Sequence, residues 1–595
     1  DDNTEYTDID MNFKMANTVG IDMKGNVNIQ NGTVDIISSS TVADSVAYGI
    51  YNQDETDIDP SATETVKISG EDTCVNIENC TFENNSNSDV YVQNCPSLIL
   101  GGNVQIPSLY FTNGNVDSSM KIGIGNNLSG SVTIKADNYD TLDVFDQGVA
   151  LPDGVFSLAD SSYEFNTDGS VSKVETLSIT YAGMDSSTNL PVFYIYDADG
   201  LCTFRDIVNG TLESSINIPA DPSVTNGAPY DTTNTQGISR VSGVLQADID
   251  LTAVTSWVPI TGPSSDDLFC GDFDGNGKTI SNLNILDATT ENQGLFGVID
   301  CTLAERTATI KNLKVSSTIS CSSVNVGAIA GYAYQVNFIN CESSGMIMTS
   351  ASEVGGIVGY AEYCEFNSCV NKASVGSTTT SAGNASVGGI AGLIKAVKAS
   401  NCFNSGSING PTAVGGLFGY EANETTASTF DYCINSGTVI GTSLYGGILG
   451  YATTSSQFNY CANYGKLSSE SESEFGCFIG GINSNSNVTV TECLSVGAVY
   501  SENAKSYYAI NRDANVTKSY YDSTVLSGCS EKTFVTTEGL PTGLGTTELI
   551  AGSNLQNFTD SYWSYAAGRY PIPNVQSALS DYWNDIITAA TPTSN

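Results

Sequence analysis

The hexapeptide DFDGNG, which begins at Asp272, carries oxygen ligands at spacings that a calcium loop uses. Asp272, Asp274, Asn276 and Gly277 match positions 1, 3, 5 and 6 of an EF-hand loop. Position 12 of such a loop supplies a bidentate Glu, and this chain has Leu283 there. We therefore interpret the segment as a turn that leads into the strand KTISNLNI, and we predict no metal ion and no other cofactor.

The absence of His limits the catalytic chemistry that this chain can perform. It excludes Ser-His-Asp and Cys-His catalysis, His-ligated zinc and the usual proton shuttle near neutral pH. What remains is a carboxylate pair, as in many glycosidases, or a Lys or Arg base with calcium, as in polysaccharide lyases built on β-helices. None of the five arginines lies in a local cluster of acids, so we predict no catalytic residue and favour a non-enzyme. These arginines are Arg205, Arg240, Arg306, Arg512 and Arg569.

The sixteen cysteines are an even number, consistent with disulfides in an oxidising compartment. Six of them occupy equivalent positions along the chain: Cys341, Cys369, Cys402, Cys433, Cys461 and Cys493. If these residues stack, their Cβ atoms lie about 4.8 Å apart, which exceeds the mean of about 3.8 Å for a relaxed bridge. We therefore expect a ladder of free, packed thiols. Candidate bridges remain among Cys74, Cys80 and Cys95 and in the region Cys364–Cys369.

The composition indicates a folded, acidic protein that is poor in helix. The chain has 595 residues, is 40% apolar and only 14% charged, and is rich in Gly, Ser, Thr and Asn, which favours strands and turns. Its formal net charge is -44, so it would be repelled by phosphate backbones and anionic lipid surfaces. We predict that nucleic acid is not a partner.

Other signals concern the location of the protein. No stretch reaches the roughly 18–20 consecutive apolar residues of a membrane span. The chain begins at Asp1 without Met or an export signal, so we expect a mature form whose signal has been removed. Ten Asn-x-Ser/Thr triplets are candidate N-glycosylation sites, usable only in an organism that glycosylates. They are Asn31, Asn79, Asn84, Asn127, Asn209, Asn384, Asn423, Asn487, Asn515 and Asn557.

A glycine-rich motif recurs along the chain, as in VGGIVGY at Val354–Tyr360 and VGGLFGY at Val414–Tyr420. A second pattern, Asn/Tyr-Cys-x-x-x-Gly, follows the copies, and short runs such as Phe366–Val375 alternate apolar and polar residues as strands do. A period near 30 residues predicts a solenoid of stacked coils, each with three short parallel strands. The last glycines of the successive copies are Gly297, Gly331, Gly359, Gly392, Gly419, Gly450 and Gly480.

The motif suggests a structural role for its glycines. Its first position is usually Val, as in Val354, and its fourth is Ile or Leu, as in Ile357. Residues three apart lie on opposite faces of a regular strand, so both can face the core only if the backbone bends between them. We expect the intervening Gly pair to allow that bend through dihedral angles that other residues avoid. The motif is thus predicted to be a corner of a coil rather than a ligand loop.

Several segments resemble the GLUG-repeat family of cell-surface, adhesin-like proteins. They are Cys270–Ile285, Gln293–Gly297, Thr309–Val315 and the later Gly-Gly-x-x-Gly and Asn-Cys units, with Leu201–Gly210 and Gly243–Ile260 as the entry. The resemblance covers about residues 195–525 and implies a β-solenoid with a role in surface display and adhesion. The chain departs from the pattern at Phe475–Gly481, where Cys477 replaces an apolar residue, and at Tyr507–Asn511, which lacks the glycines.

Four regions follow from these patterns. Residues 1–175 predict an irregular β-helix segment. Residues 176–240 predict a connecting region with a cap helix, for which Asp199 is the expected N-cap, and an exposed loop at Ile218–Gly237. Residues 241–525 form the repeat solenoid, and residues 526–595 a C-terminal cap with a short helix. Val575, Leu579, Trp583 and Ile586 share one face of that helix.

The sequence therefore predicts an all-β protein, a right-handed parallel β-helix (β-solenoid) with short helical caps. We expect a non-enzymatic structural or adhesive protein at the cell surface or outside the cell. Its thirty tyrosines offer contacts to a protein or a glycan of a host or neighbouring cell, although many should stack inside the coils. Self-association into a filament is a further expectation, with Asp1–Met15 as a donor strand. The alternative is a carbohydrate-active β-helix enzyme, which requires two carboxylates about 5–9.5 Å apart in a groove.

Overall fold

The structure is a computed structural model of the whole chain. Within residues 1–176 it describes 3–7, 11–14, 19–22, 26–30, 33–37, 48–51, 65–69, 74–78, 81–84, 89–93, 97–101, 103–111, 121–136, 139, 142–145, 149–160, 162–166 and 169–173. Beyond them it describes 178–212, 218–219, 239–304, 306–378, 385–422, 424–468, 475–500, 507–511, 513–527, 541–553, 555–556 and 558–592. The loop predicted at Ile218–Gly237 lies almost entirely outside the described residues.

The chain forms two compact units, Asp1–Thr176 and Leu177–Asn595. In the first unit a five-stranded parallel sheet contains Asn3–Thr7, Asn26–Gln30, Cys74–Glu78, Ser97–Gly101 and Lys121–Ile124. A second sheet contains Met11–Lys14, Thr33–Ile37, Thr65–Ser69, Thr81–Asn84, Asp89–Gln93, Asn103–Phe111, Ser129–Ala136 and Phe156–Leu158. Smaller pairs are Val19–Asp22 with Tyr48–Tyr51 and Tyr163–Phe165 with Val171–Lys173.

The amino-terminal segment pairs within its own chain. Asn3–Thr7 lies parallel to Asn26–Gln30, and Met11–Lys14 lies parallel to Thr33–Ile37. In the single chain these two described strands already have partners, and the donation of Asp1–Met15 to another copy stays a prediction.

Three long sheets wrap the second unit. The twelve-stranded sheet contains Ile179–Met184, Pro191–Ile195, Ser242–Leu245, Phe273–Asp274, Ala308–Lys311, Val336–Ile339, Glu365–Asn367, Lys398–Ser400, Thr429–Asp431, Gln457–Asn459, Thr489–Thr491 and Asn515–Thr517. The seven-stranded sheet contains Phe296–Asp300, Ala330–Tyr334, Val358–Glu362, Ala391–Lys395, Phe418–Glu421, Leu449–Ala452 and Ile479–Ile482. Its strands pair in parallel and in register, one repeat to the next.

The nineteen-stranded sheet completes each coil. It contains Ile249–Asp250, Thr279–Leu286, Lys314–Ser320, Val326–Gly327, Glu342–Thr349, Glu353–Gly355, Val370–Asn371, Ser374–Ser377, Ser386–Gly388, Phe403–Asn404, Ile408–Gly415, Ile434–Asn435, Val439–Gly446, Ala462–Asn463, Leu467–Ser468, Leu494–Ser495, Val499–Tyr500, Tyr520–Asp522 and Thr542–Leu544. Phe475–Gly476 pairs with Tyr507–Tyr508, and Trp563–Ser564 pairs with Ile572–Pro573. The prediction of an all-β parallel β-solenoid is confirmed.

Helices are short and few among the described residues. They are Ala198–Asn209, Thr546–Leu549 and Trp583–Ala589, with 3₁₀ turns at Thr302–Ala304 and Ser580–Tyr582. Within the described part of the chain, none of them has the length and apolar content to cross a bilayer.

The helix Ala198–Asn209 packs Leu201, Phe204, Ile207 and Val208 into the core, as its periodicity predicts. Its N-cap differs from the prediction. The residue that caps it is Asp197, whose Oδ1 accepts a hydrogen bond from the Gly200 amide at 2.9 Å, while Asp199 lies in the first turn. The strands Ile179–Met184 and Pro191–Ile195 already belong to the twelve-stranded sheet, so the region 176–240 begins the solenoid rather than only leading to it.

The repeat places its first and fourth positions in one core. Val326, Val354, Val387 and Val414 are fully buried, and so are Ile329, Ile357, Ile390, Leu417 and Ile448. The prediction that both positions face inward is confirmed.

The physical reason for the glycines differs from the prediction. In the described coils none of the motif glycines adopts a positive φ. Instead, the neighbouring coil leaves no space for a side chain, since a Cβ on Gly359 would lie 2.3 Å from the Val326 backbone nitrogen. A Cβ on Gly355 would lie 1.9 Å from the Val358 carbonyl oxygen. Glycine is required here by close backbone approach, and not by unusual dihedral angles.

One set of left-handed corners lies at the residue before each cysteine of the ladder. These residues are Asn340, Ser368, Asn401, Tyr432, Tyr460 and Glu492, and each has a φ between 50° and 56°. A left-handed conformation costs a non-glycine residue about 1–2 kcal/mol, least for Asn. At each corner it turns the chain so that the next residue, a cysteine, points into the core.

A C-terminal strap, which we define as residues 541–590, lies along the side of the solenoid. Successive coils present the outward side chains of Val370, Phe403, Ile434, Ala462 and Leu494, and the strap buries them under Leu549, Phe558, Trp563, Ile572, Val575, Leu579 and Ile586. The Tyr582 hydroxyl donates to Glu342 Oε2, a residue 240 positions earlier. The predicted C-terminal cap therefore covers a lateral row of apolar side chains that would be exposed to solvent without it.

Candidate functional site

The outward face of the seven-stranded sheet carries a row of four tyrosines that one leucine interrupts. In each coil the residue after the third motif glycine points away from the core, and register pairs these residues directly. We call this row the tyrosine stripe: Tyr332, Tyr360, Leu393, Tyr420 and Tyr451. The ring centroids of Tyr332 and Tyr360 lie 5.0 Å apart, and those of Tyr420 and Tyr451 lie 5.7 Å apart. All five side chains are half-buried, so one part of each is packed and the other meets solvent.

Polar groups lie next to the stripe at its centre. The Tyr360 hydroxyl donates to Glu362 Oε2 at 2.8 Å, and Lys395 Nζ lies 3.5 Å from the same carboxylate. The Lys395 ammonium also lies 5.3 Å from the centre of the Tyr360 ring. Tyr334 packs edge-on against Tyr363, with centroids 5.5 Å apart. These contacts hold the rings in fixed orientations and keep an acceptor and a donor beside them.

Burial raises the pKa of the Tyr360 and Tyr332 hydroxyls above the ordinary value, and the neighbouring Glu362 carboxylate raises both further. Both hydroxyls therefore stay protonated at every physiological pH. They are neutral donors, and the stripe is an amphipathic rather than a charged surface.

The segment that resembles a calcium loop is occupied by ion pairs. Arg306 lies 2.8 Å from Asp272 Oδ2, and Lys311 lies 3.2 Å from Asp274 Oδ2. Leu283 is fully buried in the core. Within the described residues no group of three or more Cys, Asp or Glu side chains is arranged to hold a metal ion.

The ladder cysteines Cys341, Cys369, Cys402, Cys433, Cys461 and Cys493 are free and buried, as predicted. Their thiols donate to backbone carbonyls, as Cys461 Sγ does to Phe430 O at 3.3 Å. The bridge predicted in the region Cys364–Cys369 is wrong, because both cysteines are free and each follows a different corner. Cys80 and Cys95 lie outside the described residues, as does the side chain of Cys74. A disulfide that the sequence did not indicate joins Cys270 to Cys301.

Four of the ten candidate glycosylation sites have described side chains. Asn127, Asn487 and Asn515 are exposed, and the Asn515 amide donates to Asn487 Oδ1. Asn209 Nδ2 donates to Pro259 O at 3.0 Å, so a sugar there would replace a structural hydrogen bond. Asn84 ends a strand, and its side chain is not described. Asn31, Asn79, Asn384, Asn423 and Asn557 lie outside the described residues.

Comparisons with known proteins add little to this geometry. No family model matches the chain, and no curated protein matches it. A solved structure from Bacteroides ovatus, described as a "putative immunoglobulin A1 protease", is similar with a TM-score of 0.38 and 15% identity. The match covers 66% of this chain and 94% of that one. Membership of the GLUG-repeat family therefore stays a prediction.

The sequence contained a signal for the tyrosine stripe that composition alone did not show. Four motif copies end in Gly-Tyr, at Tyr332, Tyr360, Tyr420 and Tyr451. A large aromatic residue at a fixed place in each coil indicates either a core ladder or a surface ladder. Only the strand register decides which, and it places these rings outside.

Proposed function

We propose that this chain is a non-enzymatic adhesive β-solenoid that binds a glycan through the tyrosine stripe. The single observation that supports this most is the row of four half-buried tyrosine rings, in two pairs on either side of Leu393, on five adjacent parallel strands. A sugar ring presents an apolar C–H face, and an aromatic face with its negative quadrupole attracts such hydrogens. Two pairs of rings on adjacent coils, with Leu393 between the pairs, can contact several sugars of one extended chain.

Charge narrows the class of glycan. The chain has a formal net charge of -44, which disfavours polyanionic glycans at long range. Beside the stripe, Lys395 is paired with Glu362, so the local polar groups offer one donor and one acceptor rather than a net positive charge. We therefore expect a neutral, extended glycan.

The Cys270–Cys301 disulfide supports a location outside the cytosol, because such bridges persist in oxidising compartments. Surface display and adhesion to a neighbouring cell are the roles that a rigid solenoid with a lateral binding face would serve.

A screen of immobilised neutral and acidic glycans against the purified chain tests the proposal. The double variant Tyr360→Ala/Tyr420→Ala should lose at least about 10-fold in affinity, since each stacked ring contributes on the order of 1 kcal/mol. Tyr500→Ala is the matched control, because Tyr500 is exposed on another sheet. Equal binding by the double variant and the wild type would refute a role for the stripe.

Two further measurements separate the alternatives. Release of new reducing ends or unsaturated sugars from a bound glycan would establish a carbohydrate-active enzyme instead. Concentration-dependent filaments in electron microscopy, with no glycan bound in the screen, would favour self-association over glycan adhesion.

A further inference from the structure

A second site lies in the first coils of the solenoid, away from the tyrosine stripe. A cavity of about 590 Å³ is lined by the loop Ser187–Pro191 together with Arg240, Ala304 and Arg306. Its volume falls in the range of small-molecule sites, which is about 300–1,000 Å³. Two of the five arginines of a strongly acidic chain thus line the same cavity.

Arg306 lines this cavity, and its side chain is held in place by hydrogen bonds. Its guanidinium donates to Cys270 O at 2.6 Å and to Asp272 Oδ2 at 2.8 Å. Cys270 is itself covalently tied to Cys301. These two hydrogen bonds hold the planar guanidinium in one orientation. Its remaining N–H groups therefore have fixed directions in which they can donate to a ligand.

Arg240 supplies a positive charge that has no acidic partner among the described residues. Its side chain is exposed and makes one hydrogen bond, to Leu303 O at 3.4 Å. Among the described residues it forms no ion pair. A guanidinium with most of its donors free is suited to a carboxylate, which it can bind through two parallel hydrogen bonds.

The loop that faces the arginines is also rigid. Asp185 Oδ1 accepts from the Ser187 and Thr188 amides at 2.7 Å and 2.8 Å, and Asn189 takes a left-handed conformation with φ 55°. The Ser187 and Thr188 hydroxyls donate to Asp185 Oδ1 as well, so their oxygens can accept hydrogen bonds from sugar hydroxyls, and the exposed Asn189 amide can donate or accept.

Nearby acids limit the charge of the ligand. A neighbouring cavity of about 160 Å³ shares Arg240 and Ala304 and is also lined by Asp266, Asp267 and Asp300. A ligand with two or more negative charges would be repelled by these carboxylates. A single carboxylate directed at Arg240 balances attraction and repulsion best.

From these contacts we propose that the cavity beside Arg240 binds a monoanionic sugar acid, with the ligand carboxylate on the Arg240 guanidinium and its hydroxyls toward the loop Ser187–Pro191. The site is independent of the tyrosine stripe.

Ligand-observed NMR and calorimetry with glucuronate, galacturonate and N-acetylneuraminate test this site. Glucose and galactose are the neutral controls, and glucose 6-phosphate is the dianionic one. Arg240→Gln should weaken binding of the preferred acid by at least about 10-fold, because it removes a charge-assisted pair. Arg240→Lys should give an intermediate loss, since it keeps the charge without the fork.

Lys398→Gln is the matched control for lost positive charge, because Lys398 lies on the surface in a pair with Glu365. Arg240 is exposed, so its variants should keep the wild-type melting temperature. The double variant Tyr360→Ala/Tyr420→Ala should bind the sugar acid normally. Saturable binding of one of the acids to the wild type, which Arg240→Gln weakens and Lys398→Gln does not, would support the site. Binding of none of the three acids, equal binding of the neutral sugars, or unchanged binding by Arg240→Gln would each overturn it.

Discussion

The side-chain amide of Asn404 donates a hydrogen bond to Asn435 Oδ1 at 2.8 Å, and both side chains are completely buried. The same bond recurs in adjacent coils, from Asn371 to Asn404 and from Asn435 to Asn463. Each amide also closes its own turn, as Asn435 does by donating to Gly437 O and accepting from the Gly437 amide. This asparagine ladder satisfies every buried amide and couples each coil to the next.

Replacing Asn435 with Leu should destabilise the solenoid strongly. It would remove buried hydrogen bonds that Asn435 makes with the Asn404 side-chain amide, the Gly437 amide and Asn463 Oδ1, at about 0.5–1.5 kcal/mol for each bond. We expect a loss of about 3 kcal/mol, measured as the shift of a urea unfolding transition. Asn337→Ala, at an outward position of the twelve-stranded sheet, is the control and should change stability by no more than about 0.5 kcal/mol. A comparable shift in both variants would show that the ladder has no special role.

The motif glycines should not tolerate even a methyl group. A Cβ on Gly389 would lie 2.4 Å from Gly416 O and 2.6 Å from Asn404 Oδ1, and neither neighbour can move without disturbing the ladder. Gly389→Ala should therefore abolish soluble expression or lower the melting temperature by at least a few degrees, for a loss on the order of 2 kcal/mol or more. Gly545→Ala is the control, because the nearest atoms to its Cβ would lie 3.5 Å away. Normal melting of Gly389→Ala would contradict the close-approach explanation.

The two kinds of cysteine should differ in reactivity. Burial raises the pKa of the Cys364 thiol to about 12, so its reactive thiolate is scarce at neutral pH. We expect no alkylation of Cys364 by iodoacetamide in the native protein at pH 8 and complete alkylation in urea, read by mass spectrometry. Reduction of Cys270–Cys301, which closes a loop of 31 residues, should cost about 2–4 kcal/mol. A double Cys270→Ala/Cys301→Ala variant should show no dependence of its melting temperature on reductant. Rapid native labelling of Cys364 would contradict its burial.

The hairpin at Asp185 should give the protein a specific weakness in acid. Hydrogen bonds from Ser187, followed by those from the Thr188 amide, lower the pKa of Asp185 from 3.8 to about 2. A carboxylate with a lowered pKa in the folded state stabilises the protein above its unfolded pKa, and that contribution is lost as the pH falls from about 4 to about 2. Asp185→Asn should therefore flatten the dependence of melting temperature on pH in this window. An unchanged slope would show that the hairpin does not contribute to acid sensitivity.

The sequence predicted the coil and its core positions because these depend on short-range periodicity. Residues equivalent to Val354 and Ile357 occur at fixed intervals along the chain. If the coils stack in parallel, burying one of these side chains also buries the equivalent side chains of the other coils. The sequence did not predict why the glycines are needed, since the obstructing atoms belong to a neighbouring coil, as for Gly359, or to the bend of the motif itself, as for Gly355. The sequence also did not indicate the Cys270–Cys301 bridge or the Arg240 cavity. In both, the register of the strands brings together residues that are more than 30 positions apart.

The C-terminal strap offers the last test, because its place on the lateral face could not be read from local sequence. Deleting residues 541–595 should expose the outward row from Val370 to Leu494, which is fully buried by the strap in the intact chain. Exposed apolar stripes on a solenoid favour association, so the truncated protein should bind a hydrophobic dye and elute as an oligomer. Tyr582→Phe keeps the packing but removes the hydrogen bond to Glu342, and it should remain monomeric with a loss of about 1–3 kcal/mol. If the truncated chain stayed monomeric and bound no dye, the strap would be an independent appendage that is not needed to cover the row from Val370 to Leu494.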